Sequence, residues 1–125
     1  MEELTNIVNE SETEKVGFND KKTLRARGGD INDIDPNRRP TDPVGLSRSI
    51  LHVLKDNDYV RILSVGPTAL SSVMTAYRLS SREIESLTNG SVLVCRQSEY
   101  TAEIGGKKAK GISTRIFAID IKFAL

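Results

Sequence analysis

The pattern of apolar and polar positions predicts alternating strands and helices, most clearly between residues 59 and 77. Tyr59–Val65 is rich in β-branched and aromatic residues and ends at Gly66, as a buried strand does. Pro67 follows at a position where its fixed φ suits the first turn of a helix. One helical face is then apolar at the i, i+3, i+4 and i+7 positions Leu70, Val73, Met74 and Tyr77. The segment predicts a strand, a tight turn and an amphipathic helix.

Upstream, the pattern predicts a short basic edge strand, a long loop and a first helix. Lys21–Arg27 forms the strand. Residues 28–43 hold three of the four prolines and show no period, and loops this long tend to be functional or disordered. Residues 44–55 carry a helical stripe at Leu46, Ile50, Val53 and Leu54, with Asp42 as N-cap and Pro43 at the first helical position.

Downstream, the pattern predicts a second short helical piece and two long strands. Ser80 or Ser81 would cap the helical piece that precedes the stop signal Asn89-Gly90. Residues 91–104 form a strand whose polar second half projects from the body, and residues 105–111 form a basic hairpin tip. Residues 112–125 form the last strand, with Phe117, Ile119, Ile121 and Phe123 on one face.

The element order predicts an α/β fold of the α+β two-layer type. The order is β-α-β-α-β-β, with the short helical piece appended to the second helix. It gives a four-stranded mixed sheet with two main helices on one face, because the first helix crosses over between parallel strands and the last two strands form a hairpin. The 125 residues suit one domain over residues 21–125, with an inserted loop at 28–43, after a mobile segment 1–20.

Charge divides the chain unevenly. Six acids against the single base Lys15 give residues 1–20 a net charge of −5, whereas residues 21–125 hold 17 bases and 11 acids, a net +6. Such asymmetry points to a polyanionic partner for the domain, while the acidic segment could contact a protein partner. No apolar run suits a membrane span and no signal peptide begins the chain, so we expect a cytoplasmic protein without membrane contact.

The residues that carry catalytic or metal chemistry are sparse. His52 is the only histidine and Cys95 the only cysteine, so metal-ligand spacings and disulfides within one chain are excluded. The turn at Gly66 has one glycine and no lysine, unlike dinucleotide and phosphate-binding loops. We therefore expect no enzyme, no catalytic residue, no cofactor and no bound metal. A solvent-exposed or packing role suits His52.

Basic side chains cluster on the predicted edge strand, loop and hairpin tip, where phosphate oxygens could be reached. Tyr100 is the one aromatic platform expected on the projecting strand. Lysines also decorate ordinary hairpin turns, so a merely solubilising role stays open for the tip. The candidate nucleic-acid-binding residues are Lys22, Arg25, Arg27, Arg38, Arg39, Lys107, Lys108 and Lys110.

The turn Val65-Gly66-Pro67-Thr68-Ala69-Leu70, continuing to Val73 and Ala76, resembles that of the bacterial stage V sporulation protein S family. That family is similar to the archaeal Alba chromatin proteins, and the resemblance covers roughly residues 22–123. It implies an Alba-like fold, homodimers, and DNA or RNA binding by loop and hairpin arms without catalysis. Pro67, the long aspartate-rich loop and the acidic head depart from the Alba pattern.

Two functions of different classes follow. The first is a non-catalytic, dimeric nucleic-acid-binding protein, architectural or regulatory, which in the cytoplasm could associate with the nucleoid. The second is a structural or adaptor protein that uses the same fold for protein–protein assembly. In the adaptor, the acidic head and the long loop would contact a partner, and the basic tip would be incidental.

Overall fold

The computed structural model describes residues 21–120 except Asn89. Its elements are β1 (Thr23–Ala26), a short 3₁₀ helix (Pro36–Arg38), α1 (Pro43–Asp56), β2 (Tyr59–Ser64), α2 (Pro67–Leu87), β3 (Ser91–Ile104) and β4 (Lys107–Asp120). The predicted order of elements is confirmed. The expectations for the 1–20 segment, for Asn89 and for residues 121–125 lie outside the described residues.

The four strands form one mixed sheet in the order β1-β2-β4-β3. β1 pairs with β2 in parallel, with Thr23 opposite Arg61, so α1 lies on the connection between two parallel strands. β4 is antiparallel to both neighbours and lies between them. The predicted four-stranded mixed sheet, with β1 at an edge, is confirmed.

α1 begins where the sequence predicts it. Asp42 Oδ1 accepts a hydrogen bond from the N–H of Val44 at 3.3 Å, and its Oδ2 accepts one from the N–H of Gly45 at 3.2 Å. These bonds satisfy two N–H groups that have no partner within the helix. Pro43 occupies the first turn, where its missing N–H costs nothing.

α2 is one continuous helix of 21 residues, and the prediction of a separate short helical piece after Ser80 or Ser81 is wrong. Ser80 is fully buried, and its hydroxyl donates to the carbonyl oxygen of Ser47 on α1 at 3.3 Å. The side chain that could have capped a new helix therefore joins the two helices instead. No glycine or proline interrupts the helix after Pro67, so nothing breaks its backbone pattern.

Both helices pack on the same face of the sheet. The core joins Leu46, Ile50 and Val53 of α1 and Val73 and Ala76 of α2 to strand residues Val60, Ile62, Leu93 and Ile116. Side chains alternate between the faces of a strand, so these strand positions define the covered face of all four strands. Neither helix within residues 21–120 is long and apolar enough to cross a membrane.

β3 and β4 form a hairpin that extends past β2. The last pair between β2 and β4 is Ser64 with Ile112, whereas β3 and β4 stay paired back to Lys107. The predicted projection of the second half of β3 holds from Tyr100 onward, because residues 96–99 lie opposite β4 residues that still pair with β2. The predicted basic tip at 105–111 is too long, because only Gly105 and Gly106 turn, at φ +58° and +79°. We call residues 100–111, which lie beyond β2, the hairpin ribbon.

Tyr100 closes the base of the hairpin ribbon. It pairs with Gly111, where a Cβ atom would meet the tyrosine ring at 2.5 Å and the carbonyl oxygen of Ser64 at 2.7 Å. The Tyr100 ring therefore occupies the space that a side chain at position 111 would need, and Tyr100 is only 6% exposed. Its expected use as a stacking platform for bases is wrong, since its ring is packed inside the protein.

Candidate nucleic-acid interface

No helix of the described residues covers the second face of the sheet, which we call the open face. Its side chains come from the strand positions that alternate with the core positions. From β1 to β3 these positions include four arginines and no aspartate or glutamate: Arg25, Arg61, Arg96 and Arg115. At its described strand positions, this face therefore carries four positive charges and no negative one.

Three of these arginines form a straight row across three adjacent strands. Arg61 of β2 lies directly opposite Arg115 of β4, and Arg115 lies directly opposite Arg96 of β3. Side chains at such positions have Cβ atoms roughly 5 Å apart, and like charges there destabilise the sheet. The strand register therefore places three guanidinium-bearing side chains on neighbouring strands. We call Arg61, Arg115 and Arg96 the arginine row.

The members of the row differ in exposure. Arg61, at the centre of the sheet, is 6% exposed, and its guanidinium donates from Nε and Nη2 to the Thr23 hydroxyl at 3.2 and 3.1 Å. Arg115 is half-buried and Arg96 is exposed. The row therefore runs from a fixed, buried guanidinium beside β1 to a solvent-accessible one on the edge strand β3.

An aromatic pair lies beside the row. The Tyr59 and Phe117 rings have centroids 5.8 Å apart and are tilted by 37°. The Arg115 guanidinium carbon lies 5.8 Å from the Tyr59 centroid, and Lys22 Nζ lies 4.7 Å from it. Both aromatic side chains are half-buried, and both cations lie beside the Tyr59 ring. Such surfaces stack bases while the cations contact phosphates.

The loop between β1 and α1 uses its arginines partly for its own structure. Arg27 Nε donates to the carbonyl oxygen of Arg39, and Arg39 Nε donates to that of Asp33, both at 2.7 Å. The exposed Arg38 has its Nε 3.9 Å from Asp35 Oδ2. Two of the predicted phosphate-binding side chains, Arg27 and Arg39, thus also brace the loop, and Arg38 is exposed.

The aspartates of the same loop form turns. The carboxylates of Asp30, Asp33 and Asp35 each accept a hydrogen bond from the backbone N–H two residues on, at 2.9 to 3.0 Å. These bonds are typical of turns that aspartate favours. Gly29 has φ +132°, and a Cβ atom added there would collide with the carbonyl oxygen of Arg38, so only glycine fits. The loop is folded, but its acids offset its arginines.

The hairpin ribbon carries the three predicted lysines, all exposed. Lys110 Nζ lies 3.6 Å from Glu99 Oε1, and Lys108 pairs across the strands with Glu103. Lys107 lies opposite Ile104, next to the turn. Two of the three lysines therefore have a carboxylate on the neighbouring strand, which reduces the net charge of this arm.

The sheet brings most of the predicted residues to one end. The carboxyl ends of β1, β2 and β3 and the start of β4 lie together, so Arg27, Arg38, Arg39 and the three lysines share this end. The first turn of α2 also lies there, with Gly28 beside Ala69, and its N-cap Gly66 offers no side chain to cap it. Lys22 lies at the opposite end of the sheet, where its Nζ is 3.3 Å from Asp58 Oδ1. Arg25 belongs to the open face.

Three open-face arginines are absent from the residues that the sequence pattern predicted for binding: Arg61, Arg96 and Arg115. Each is a single basic residue within a strand pattern, so none forms a cluster along the chain. The only signal was the strand period of two, which puts Arg115 on the same face as Phe117 and Ile119. The row itself depends on the register between strands far apart in sequence.

No group of three or more His, Cys, Asp or Glu side chains in residues 21–120 is arranged to hold a metal ion. His52 is exposed on α1. Burial, and then the neighbouring Cys95 thiol, raise the pKa of Tyr77, whose hydroxyl donates to the carbonyl oxygen of Leu93 at 2.9 Å. That pair lies between α2 and the covered face of the sheet and belongs to the packing.

Neither a scan against protein-family models nor a search of curated proteins returned a match to this chain.

Proposed function

We propose that this chain is a non-catalytic nucleic-acid-binding protein that grips the phosphate backbone of DNA or RNA. The observation that carries the proposal is the arginine row on the open face of the sheet. Arginine suits this role because its planar guanidinium donates to two phosphate oxygens at once and remains charged. The aromatic pair beside the row adds a surface on which an unpaired base could stack.

The basic end of the sheet supplies the second part of the proposed interface. Phosphate contacts fix a protein on nucleic acid without reading its sequence, which suits an architectural or regulatory role. Arg38 and the exposed lysines of the hairpin ribbon would reach the backbone beyond the sheet. Because aspartates and glutamates lie beside them, we assign the larger share of the affinity to the open face.

The resemblance to the sporulation protein S and Alba-like families supports a homodimer, and we include it in the proposal together with action in the cytoplasm. A dimer would double the number of phosphate contacts. The salt dependence of binding would then be steep, since each neutralised phosphate contributes about −0.9 to the slope of log K against log salt. An adaptor protein would show no such dependence, because it would bind none of these polyanions.

The test is the affinity of the full chain for duplex DNA, single-stranded DNA and RNA, measured by fluorescence anisotropy between 50 and 200 mM salt. We expect at least one of the three to bind with a steep negative salt slope, and single strands to be favoured if the aromatic pair stacks bases. Sedimentation of the free protein gives its oligomeric state. Absence of binding to all three at 50 mM salt would contradict the proposal and favour the adaptor.

Replacing Lys107, Lys108 and Lys110 together by alanine should make the salt slope shallower. The slope of log K against log salt should change by less than about 0.9 per lysine, the value for a lysine that neutralises one phosphate. The change is smaller because Glu99 and Glu103 already offset two of the lysine charges. The matched control replaces Glu99 and Glu103 by glutamine. It should strengthen nucleic-acid binding, because it removes the negative charges beside the same lysines. An unchanged slope in the lysine variant would exclude the hairpin ribbon from the interface.

A further inference from the structure

We propose that the open face of the sheet is the docking surface of the chain's own acidic segment, residues 1–20. The arginine row lies on this face, and the segment carries six acidic residues against one basic residue. The proposal concerns a contact within one molecule. It therefore stands or falls independently of whether the protein binds nucleic acid.

Charge complementarity is the first argument. The open face between β1 and β3 holds Arg25 together with the arginine row, without an acid at any of its strand positions. The segment supplies Glu2, Glu3, Glu10, Glu12, Glu14 and Asp20. Hydrogen bonds between guanidinium and carboxylate groups are among the strongest in proteins, and closely spaced cations favour several carboxylates at once.

The apolar residues match as well. Half-buried Val92, Val94, Phe117 and Ile119 occupy the open face beside the arginine row. The acidic segment contains Leu4, Ile7, Val8, Val16 and Phe18 between its acids. A purely electrostatic tail would not need these residues. Their burial against the sheet would contribute roughly 25 cal/mol per Å² of apolar surface.

The acidic segment is joined to the chain close to the arginine row. Thr23 of β1 lies on the same line of paired residues as Arg61, Arg115 and Arg96. The segment ends three residues before Thr23 in the sequence, so its tether to the row is short. Four adjacent strands span only about 14 Å, whereas twenty residues reach up to roughly 65 Å. Tethering of this kind raises the effective concentration of the acids at the row.

One consequence is competition, because an anionic partner that uses the row would have to displace the segment. A carboxylate-bearing segment of the same chain would then tune the affinity of the domain for polyanions. This consequence alone rests on the proposed function.

The experiment measures backbone order parameters of the full, isotope-labelled chain by NMR, without nucleic acid. We expect the order parameters of the backbone amides in residues 2–20 to exceed about 0.6, the value below which the backbone counts as flexible. Glu10→Gln, Glu12→Gln and Glu14→Gln combined should lower them and shift the amide signals around Arg96 and Arg115. These changes leave residues 21–125 untouched, so misfolding of the sheet cannot explain the result.

The reciprocal variant is Arg96→Gln with Arg115→Gln, which should lower the same order parameters. Its matched control, Arg78→Gln with Arg82→Gln on α2, removes equal charge away from the open face and should leave them unchanged. Low values in the native chain that no variant alters would overturn the proposal. So would signal shifts confined to α2, or ordering that appears only at high protein concentration, which would indicate docking on a second copy.

Discussion

Replacing Arg96 and Arg115 together by alanine is expected to weaken nucleic-acid binding about 100-fold at moderate salt. A hydrogen bond to a charged group contributes about 1.5 kcal/mol or more, and two such bonds per protomer correspond to roughly two powers of ten in Kd. The salt slope should also become shallower by about 0.9 for each phosphate that the variant no longer neutralises. Fluorescence anisotropy of the full chain across a salt series measures both quantities.

The same variant is expected to keep the fold, because Arg96 is exposed and Arg115 is half-buried, and neither belongs to the apolar core. Chemical denaturation should show a cooperative transition, with an unfolding free energy lower by about 1 kcal/mol because the contact of Arg115 with the Tyr59 ring is lost. Full affinity in the variant would exclude the open face, whereas loss of the cooperative transition would mean that weaker binding reflects unfolding. The charge-matched control is Arg78→Ala with Arg82→Ala on α2.

Replacing Ile62 by alanine is expected to remove a large part of the stability of the domain. Ile62 is fully buried at the centre of β2, between β1 and β4 and beneath the helices. Removing such a side chain costs about 2–5 kcal/mol, against the 5–15 kcal/mol by which domains are typically stable. Urea denaturation followed by circular dichroism should show a lower midpoint at an unchanged slope.

The matched control for that prediction is Ile104→Ala. Ile104 is 56% exposed at the far end of the hairpin ribbon, so the same truncation there should change the unfolding free energy by less than about 0.5 kcal/mol. Equal losses in the two variants would mean that the assigned core is wrong.

Much of the fold was predictable because its signals are local. Asp42 and Pro43 define the start of α1 through a side-chain cap and a fixed backbone angle, and both act within a few residues. The apolar run and period of β3 gave its bounds, Ser91–Ile104, as the structure has them. The continuity of α2 was not predictable, since Ser80 favours a cap locally and is used instead by a carbonyl group of α1.

The candidate site was less predictable than the fold. Clusters along the chain drew attention to Lys22 and to the loop arginines, although Lys22 lies at the other end of the sheet and Arg27 and Arg39 brace the loop. The arginine row arises from β2, β3 and β4 only through their register. A one-residue slip of any strand would turn its arginine to the covered face, so the row cannot be read from spacing.

The extension of the hairpin ribbon past β2 has a consequence for local stability. Among the described strands, β4 pairs only with β3 from Lys107 to Gly111, and an isolated two-stranded ribbon is marginally stable in water. We therefore expect its amide hydrogens to exchange through a local opening of lower free energy than the unfolding of the core, with Tyr100 and Gly111 marking the boundary. Equal protection of Lys108 and Ile116 in native-state exchange would contradict this. If the hairpin ribbon does open locally, its three lysines lie on a segment that can unfold while the rest of the sheet stays folded.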